Sequence, residues 1–96
     1  MKVVWTKRAT KHLHAAYEYW RRETSEDAAD QMLERIFSTV ELLENHPELG
    51  RSGRITGTKE LVLHPLPFLL AYRTRRGNVE IIALLHGSRK WPAKLN

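Results

Sequence analysis

The 96-residue sequence has no cysteine, which excludes a disulfide framework and a thiolate zinc site and suits a reducing compartment. No apolar run approaches the roughly 18 residues that a membrane-spanning helix needs. The start, MKVVWTKRATKHL, lacks the pattern of a secretory signal, so a cytoplasmic protein is expected. Internal repeats, low-complexity tracts and linkers are absent as well. Carboxylates are nearly missing from the second half, where Glu60 and Glu80 stand alone.

What is present fits a small globular protein. Hydrophobic residues make up 42% and charged residues 28%, an ordinary balance for a soluble fold. The length predicts one domain over residues 1–96, with a modest core that is marginal without a partner. The net charge of +5 is unevenly spread. Residues 1–50 carry seven Lys/Arg against nine Asp/Glu, whereas residues 51–96 carry nine against two. The C-terminal half is therefore the candidate for meeting phosphates or an acidic protein, with a solvated basic surface as the plainer alternative.

Hydrophobic periodicity orders the elements. KVVWT predicts a short strand. From Lys7, the residues Ala9, Leu13, Ala16, Tyr17 and Trp20 recur at helical steps. Thr24 or Ser25 then caps a second helix, with Glu26 and Asp27 in its first turn. Ala29, Met32, Leu33, Ile36, Val40 and Leu43 form its stripe, widened by Phe37 and Leu42, and Asn45-His46-Pro47 ends it. A loop rich in Gly and Arg follows, ELGRSGRITGT. Three strands come next: KELVLH, FLLAYRT and NVEIIALLH, the last two joined by a turn at Arg75-Arg76-Gly77. Simple alternation puts Val79, Ile81, Ala83 and Leu85 on one face of the last strand and Glu80, Ile82, Leu84 and His86 on the other. Apolar on both faces, that strand is expected at the sheet centre. The prediction is an α+β fold, β-α-α-β-β-β, with a two-helix hairpin packed on a small antiparallel sheet.

His86 lies where this strand leaves the sheet, followed by Arg89, Lys90 and Trp91 in LLHGSRKWP. Arg73 belongs to the neighbouring strand and shares a face with His86 if the register allows. A cleft between the free face of the sheet and the C-terminal tail is expected. Other histidines read as structural: His12, His14 and His46 fall on helix surfaces or ends, and His64 precedes a proline at a strand end. His12 and His14 make no zinc pair, because residues two apart on a helix do not face each other.

The order HPELGR, then GTKELV, AYR and LHGSRKWP resembles the RelE/ParE superfamily of toxins from bacterial type II toxin–antitoxin systems, also known as plasmid stabilisation proteins. The likeness spans nearly the whole chain. It implies a microbial-RNase-like fold with no metal and no cofactor. It also implies a cognate antitoxin, acidic and partly disordered, that forms a hetero-oligomer with the toxin, operator DNA being met only through the antitoxin. Relatives have two activities. RelE-like members act on the ribosome as mRNA endonucleases, and ParE-like members inhibit DNA gyrase.

Metal-independent RNA cleavage needs a base, cations around the phosphorane and an acid. If the chain is a nuclease, the resemblance makes His86, Arg89 and Arg73 the catalytic candidates. Arg51, Arg54, Lys90 and Trp91 are candidates for binding nucleic acid or another target, Trp91 by stacking on a base. Trp91-Pro92 reads alternatively as an anchor for the tail, and His86 as a hydrogen-bonded strand end. Departures point away from the nuclease. RelE-like enzymes carry an arginine where this chain has Leu69, and a lysine pair where it has ELVLH; an indole at Trp91 cannot donate the proton. The ParE-like branch is the expected one, acting by binding gyrase. An mRNA endonuclease is the alternative, and a degenerate member that binds only its antitoxin is the third.

Overall fold

The computed structural model describes residues 1–87. The chain opens with β1 (Lys2–Trp5) and continues into α1 (Lys7–Glu23) and α2 (Glu26–Asn45). Thr6 does three things at the first junction. Its amide donates to the Ile81 carbonyl and so extends the sheet ladder, its hydroxyl accepts from the Ala9 amide as the helix cap, and the same hydroxyl donates to the Ile82 carbonyl. Ser25 caps α2 by accepting from the Ala28 amide, with Glu26 and Asp27 in the first turn as the dipole prefers. The α2 helix stops at Asn45, next to His46-Pro47. Tyr17 of α1 donates to Asp30 of α2 at 2.9 Å, tying the helical pair together.

Four further strands follow: β2 (Arg51–Ser52), β3 (Lys59–Val62), β4 (Phe68–Arg75) and β5 (Asn78–His86). They form a five-stranded sheet in the order β1-β5-β4-β3-β2. The expected order of elements is present, and β5 is central, between β1 and β4. Two features go beyond the expected antiparallel sheet. First, β1 runs parallel to β5, Trp5 beside Ile81, because the intervening chain supplies the long crossover that parallel neighbours require. Second, Arg51–Ser52, inside the segment read as loop, pairs with Glu60 and Lys59. Two residues are too few for a periodic signal. The β4–β5 turn is a two-residue loop, Arg76-Gly77, with both residues at positive φ (54° and 77°), the pattern whose twist suits a hairpin.

The main core lies between the helices and the sheet. It joins Met32, Ile36 and Leu43 of α2 to Leu70, Tyr72, Val79, Ile81 and Leu84, with Trp5, Leu13, Trp20 and Leu33 packed around it. Each fully buried aliphatic here contributes about 1.5–3 kcal/mol. Phe37 and Leu42, read as widening the α2 stripe, are instead exposed. Phe37 still meets the Trp5 ring edge-on at 6.1 Å. The Tyr72 hydroxyl is held at both ends, donating to the Pro47 carbonyl at 2.8 Å and accepting from the Gly50 amide at 2.7 Å. Any Cβ on Gly50 would meet that hydroxyl at 2.7 Å and the Glu60 carbonyl at 2.9 Å, so the approach needs glycine. Among the described residues no helix is long and apolar enough to cross a membrane.

Simple alternation along β5 fails at one residue. Ala83 pairs with Ala71 and Ile81 with Tyr72, although Ala71 and Tyr72 are consecutive. Ile82 is therefore an extra residue, a β-bulge. Its carbonyl is the one that receives the Thr6 hydroxyl. Before the bulge Val79 and Ile81 face the helices; after it Leu84 does, while Ile82, Ala83 and Leu85 join Ala71, Leu69 and Ile55 in a second cluster on the opposite face. The expectation that Ala83 and Leu85 share a face with Val79 and Ile81 is corrected accordingly.

Candidate functional site

The bulge decides where His86 points. Two residues beyond Leu84, His86 sits on the helix side of the sheet, exposed, with its ring edge-on to Phe68 at a centroid separation of 6.1 Å. Phe68 in turn lies 6.4 Å from Trp20 of α1. These rings border a groove of about 750 Å³ between α1 and the Phe68 end of the sheet, lined also by Ala15, Ala16, Tyr19 and Leu84. Its character is apolar and aromatic. At its mouth Gly87 donates to the Pro67 carbonyl at 2.9 Å, fixing the direction in which the chain leaves β5.

Arg73 is elsewhere. It follows Tyr72, which faces the helices, so its side chain takes the opposite face. In register it stands beside Glu80, whereas His86 stands beside Phe68. Six positions of β5 separate the two pairs, about 20 Å at 3.3–3.4 Å per residue. The Arg73 Nε donates to the Glu80 carboxylate at 2.7 Å, and both side chains are mostly covered. The expectation that Arg73 and His86 share a face is thus corrected. The bulge and the register separate them, and a joint catalytic group is not assembled from these two.

The loop cations are placed on the far side of the sheet. Arg51, on the edge strand β2, donates through Nε to Glu60 at 2.8 Å with an exposed guanidinium. Arg54 lies in the following bend and is exposed. Arg89, Lys90 and Trp91 lie outside the described residues. The face of the sheet away from the helices, where the cleft is expected, carries Leu69, Ala71, Ala83 and Leu85 with Ile55 beside them, and Ala71, Ala83 and Leu85 are buried. Among the described residues its charged side chains include the flanking pairs Arg51–Glu60 and Arg73–Glu80, with Arg75 on the same face as Arg73. Among the described residues no three His, Asp or Glu side chains come together to hold a metal ion.

His12 has a place that periodicity did not reveal. Where β1 ends, β5 loses its strand neighbour, and α1 takes over that edge: the Leu84 amide donates to His12 Nδ1 at 3.2 Å. A ring nitrogen accepting from an amide fixes the proton on the other nitrogen, Nε2. His12 also borders both the aromatic groove and a second, polar hollow nearer the N-terminal end of α1. A histidine at an i+3 step from Ala9, on the buried stripe, was the available signal.

Comparison with known proteins agrees with this architecture. Residues 3–91 match the family model described as the ParE toxin of type II toxin–antitoxin systems, parDE. The Sinorhizobium fredii protein Y4kP is 37% identical over 94 residues, covering 98% of this chain and 96% of that one. Toxin RelE2 of Caulobacter vibrioides is 35% identical over 88 residues, covering 92% and 97%. A chain from the chromosomal ParDE TA system of P. aeruginosa superposes with a TM-score of 0.80 over 88% of this chain and 92% of its own, at 23% identity. A helix pair on a five-stranded sheet and a sequence match over nearly all of its length establish that this chain belongs to the ParE toxin family of type II toxin–antitoxin systems.

Proposed function

We propose that residues 1–96 act as one cytoplasmic toxin domain that arrests growth by binding DNA gyrase rather than by cleaving RNA, and that a cognate antitoxin neutralises it as a hetero-oligomer. The observation that carries this reading is the apolar face of the sheet that points away from the helices. A ribonuclease must surround the scissile phosphate with cations, because charge develops on its oxygens in the transition state. Among the described residues that face carries Leu69, Ala71, Ala83 and Leu85, the last three of them buried. The two arginines that flank it, Arg51 and Arg73, are already engaged by carboxylates. His86 turns to the other side, against Phe68.

In this reading Arg51, Arg54, Lys90 and Trp91 contribute to target contact. An acidic, partly disordered antitoxin folds over the toxin, and its apolar side chains find anchors in the groove beside Trp20 and Phe68. Binding to the folded toxin alone raises its apparent stability by mass action.

The test is controlled induction of the wild-type chain and of His86→Ala and Arg89→Ala variants, with RNA ends mapped and gyrase supercoiling assayed on the purified protein. The gyrase reading expects filamentation, a DNA-damage response, inhibited supercoiling and uncut mRNA, with His86→Ala still toxic. Ribosome-linked mRNA cleavage that vanishes in both variants would replace it with the endonuclease. Loss of toxicity without either signature would leave a member that binds only its antitoxin.

A further inference from the structure

The hollow at the N-terminal end of α1 has a different chemistry from the aromatic groove. It measures about 520 Å³, and its rim carries Lys7, Arg8 and Lys11 from α1 with Arg73 and Arg75 from β4. Among the described residues Glu80 supplies its one carboxylate, which is engaged by Arg73 at 2.7 Å. Lys7 and Lys11 are one helical turn apart, so their side chains project from the same face. Lys7, Lys11 and Arg75 are all exposed. Cations from the acidic half of the sequence and from the basic half are thus gathered at one place, which charge counting along the chain did not show.

The helix itself pays for this arrangement. The first turn of α1 contains no acidic residue, whereas the first turn of α2 has Glu26 and Asp27. Lysine and arginine at a helix start oppose the macrodipole, so local stability does not explain them. The lining decides between two classes of anionic partner. A peptide that orders on binding needs apolar anchors, and among the described residues this rim offers no aliphatic or aromatic hydrocarbon side chain. A phosphodiester backbone needs only spaced cations and gains its affinity by releasing counterions.

We propose that the basin rimmed by Lys7, Arg8, Lys11 and Arg75, with the Arg73–Glu80 pair as its wall, is a binding surface for the phosphodiester backbone of nucleic acid, independent of sequence and distinct from the aromatic groove. It does not depend on which target the toxin arrests.

The test measures binding of the full chain to a fluorescent 20-base-pair duplex DNA and to a 20-nucleotide RNA, by anisotropy across a salt series. The Lys7→Gln/Lys11→Gln variant is compared with Arg35→Gln/Lys59→Gln, which removes the same charge elsewhere. The basin variant should bind about tenfold or more weakly, and its slope of log K against log salt on duplex should fall by about two. The control pair should stay within about twofold, since its cations make no phosphate contacts. Arg75→Gln, on a different element, should move in the same direction, and thermal melting should find the Lys7/Lys11 variant at least as stable as wild type. Tighter binding to duplex or to RNA identifies the natural source of the backbone. Equal weakening in both double variants overturns the proposal, as does absence of salt-dependent binding by the wild type. Displacement of duplex by poly-glutamate of equal charge at lower concentration than by unlabelled duplex also overturns it, in favour of an acidic protein.

Discussion

The two faces of the sheet are built by different rules. On the helix side, Leu70, Tyr72, Val79, Ile81 and Leu84 pack against two helices and form the main core. On the other side, the second cluster sets the small Ala71 and Ala83 among Leu69, Ile82 and Leu85, with Ile55 packed against it from the loop. The first face has the volume and interdigitation of a core. The second is covered as well, with Ala71, Ile82, Ala83 and Leu85 all buried. One cluster joins the helices to the sheet and the other lies on the face away from them, and both are built on the same two strands.

Substitutions can test that division, and the largest effect belongs to the helix side. Ile81→Ala should cost about 2–5 kcal/mol, because the cavity cannot collapse between two helices and the sheet. Half-buried Leu69→Ala on the face away from the helices should cost less than half as much in a denaturant titration. Equal losses would mean that the second face is a core too. Next comes Gly50→Ala, expected to destabilise by about 1–3 kcal/mol, since the new methyl group overlaps the Tyr72 hydroxyl and the Glu60 carbonyl.

Tyr72→Phe should cost about 1–3 kcal/mol by leaving the Gly50 amide and the Pro47 carbonyl without their partner. The same phenol gives a pH signature. Burial pushes its ionisation above the ordinary 10.0, and the Gly50 amide offsets part of that rise. The unfolded chain ionises first, so this part of the stability is present below pH 10 and is lost as pH rises beyond it. Urea titrations between pH 8 and 11 should show the decline in wild type and a shallower one in Tyr72→Phe. The smallest effect concerns the turn. Arg76 at φ 54° occupies a left-handed conformation that Asn tolerates better, and Arg76→Asn should raise stability by roughly 0.5–1 kcal/mol in thermal melts.

Much of the fold was legible in residues taken a few at a time. Ala29, Met32, Ile36, Val40 and Leu43 repeat at helical steps, and all five are buried. Ser25, His46-Pro47 and Arg76-Gly77 mark boundaries through local chemistry that needs no tertiary context. What local pattern does not encode is pairing. The parallel partner of β1 is 76 residues away, and nothing in KVVW specifies its direction. The bulge at Ile82 is invisible in NVEIIALLH because every candidate register there is apolar.

The candidate site was less legible for the same reason. Arg73 and His86 are both recognisable as chemistry-bearing residues, but whether they meet depends on strand register and on one extra residue. Position in sequence placed Lys7 and Lys11 in an acidic half and Arg75 in a basic one, while the fold puts them around one hollow. His12 was read as a surface residue because the edge it satisfies exists only after β1 and β5 have paired.

The Ile82 bulge has a consequence for comparing this chain with its kin. Counting odd and even positions along a strand is one way to transfer a functional residue between distant sequences. Here that count comes out inverted past position 82, so an imidazole matched by spacing alone is assigned to the wrong side of the protein. A single inserted residue, anchored by one threonine hydroxyl, is enough to trade a histidine between surfaces without altering any neighbouring letter.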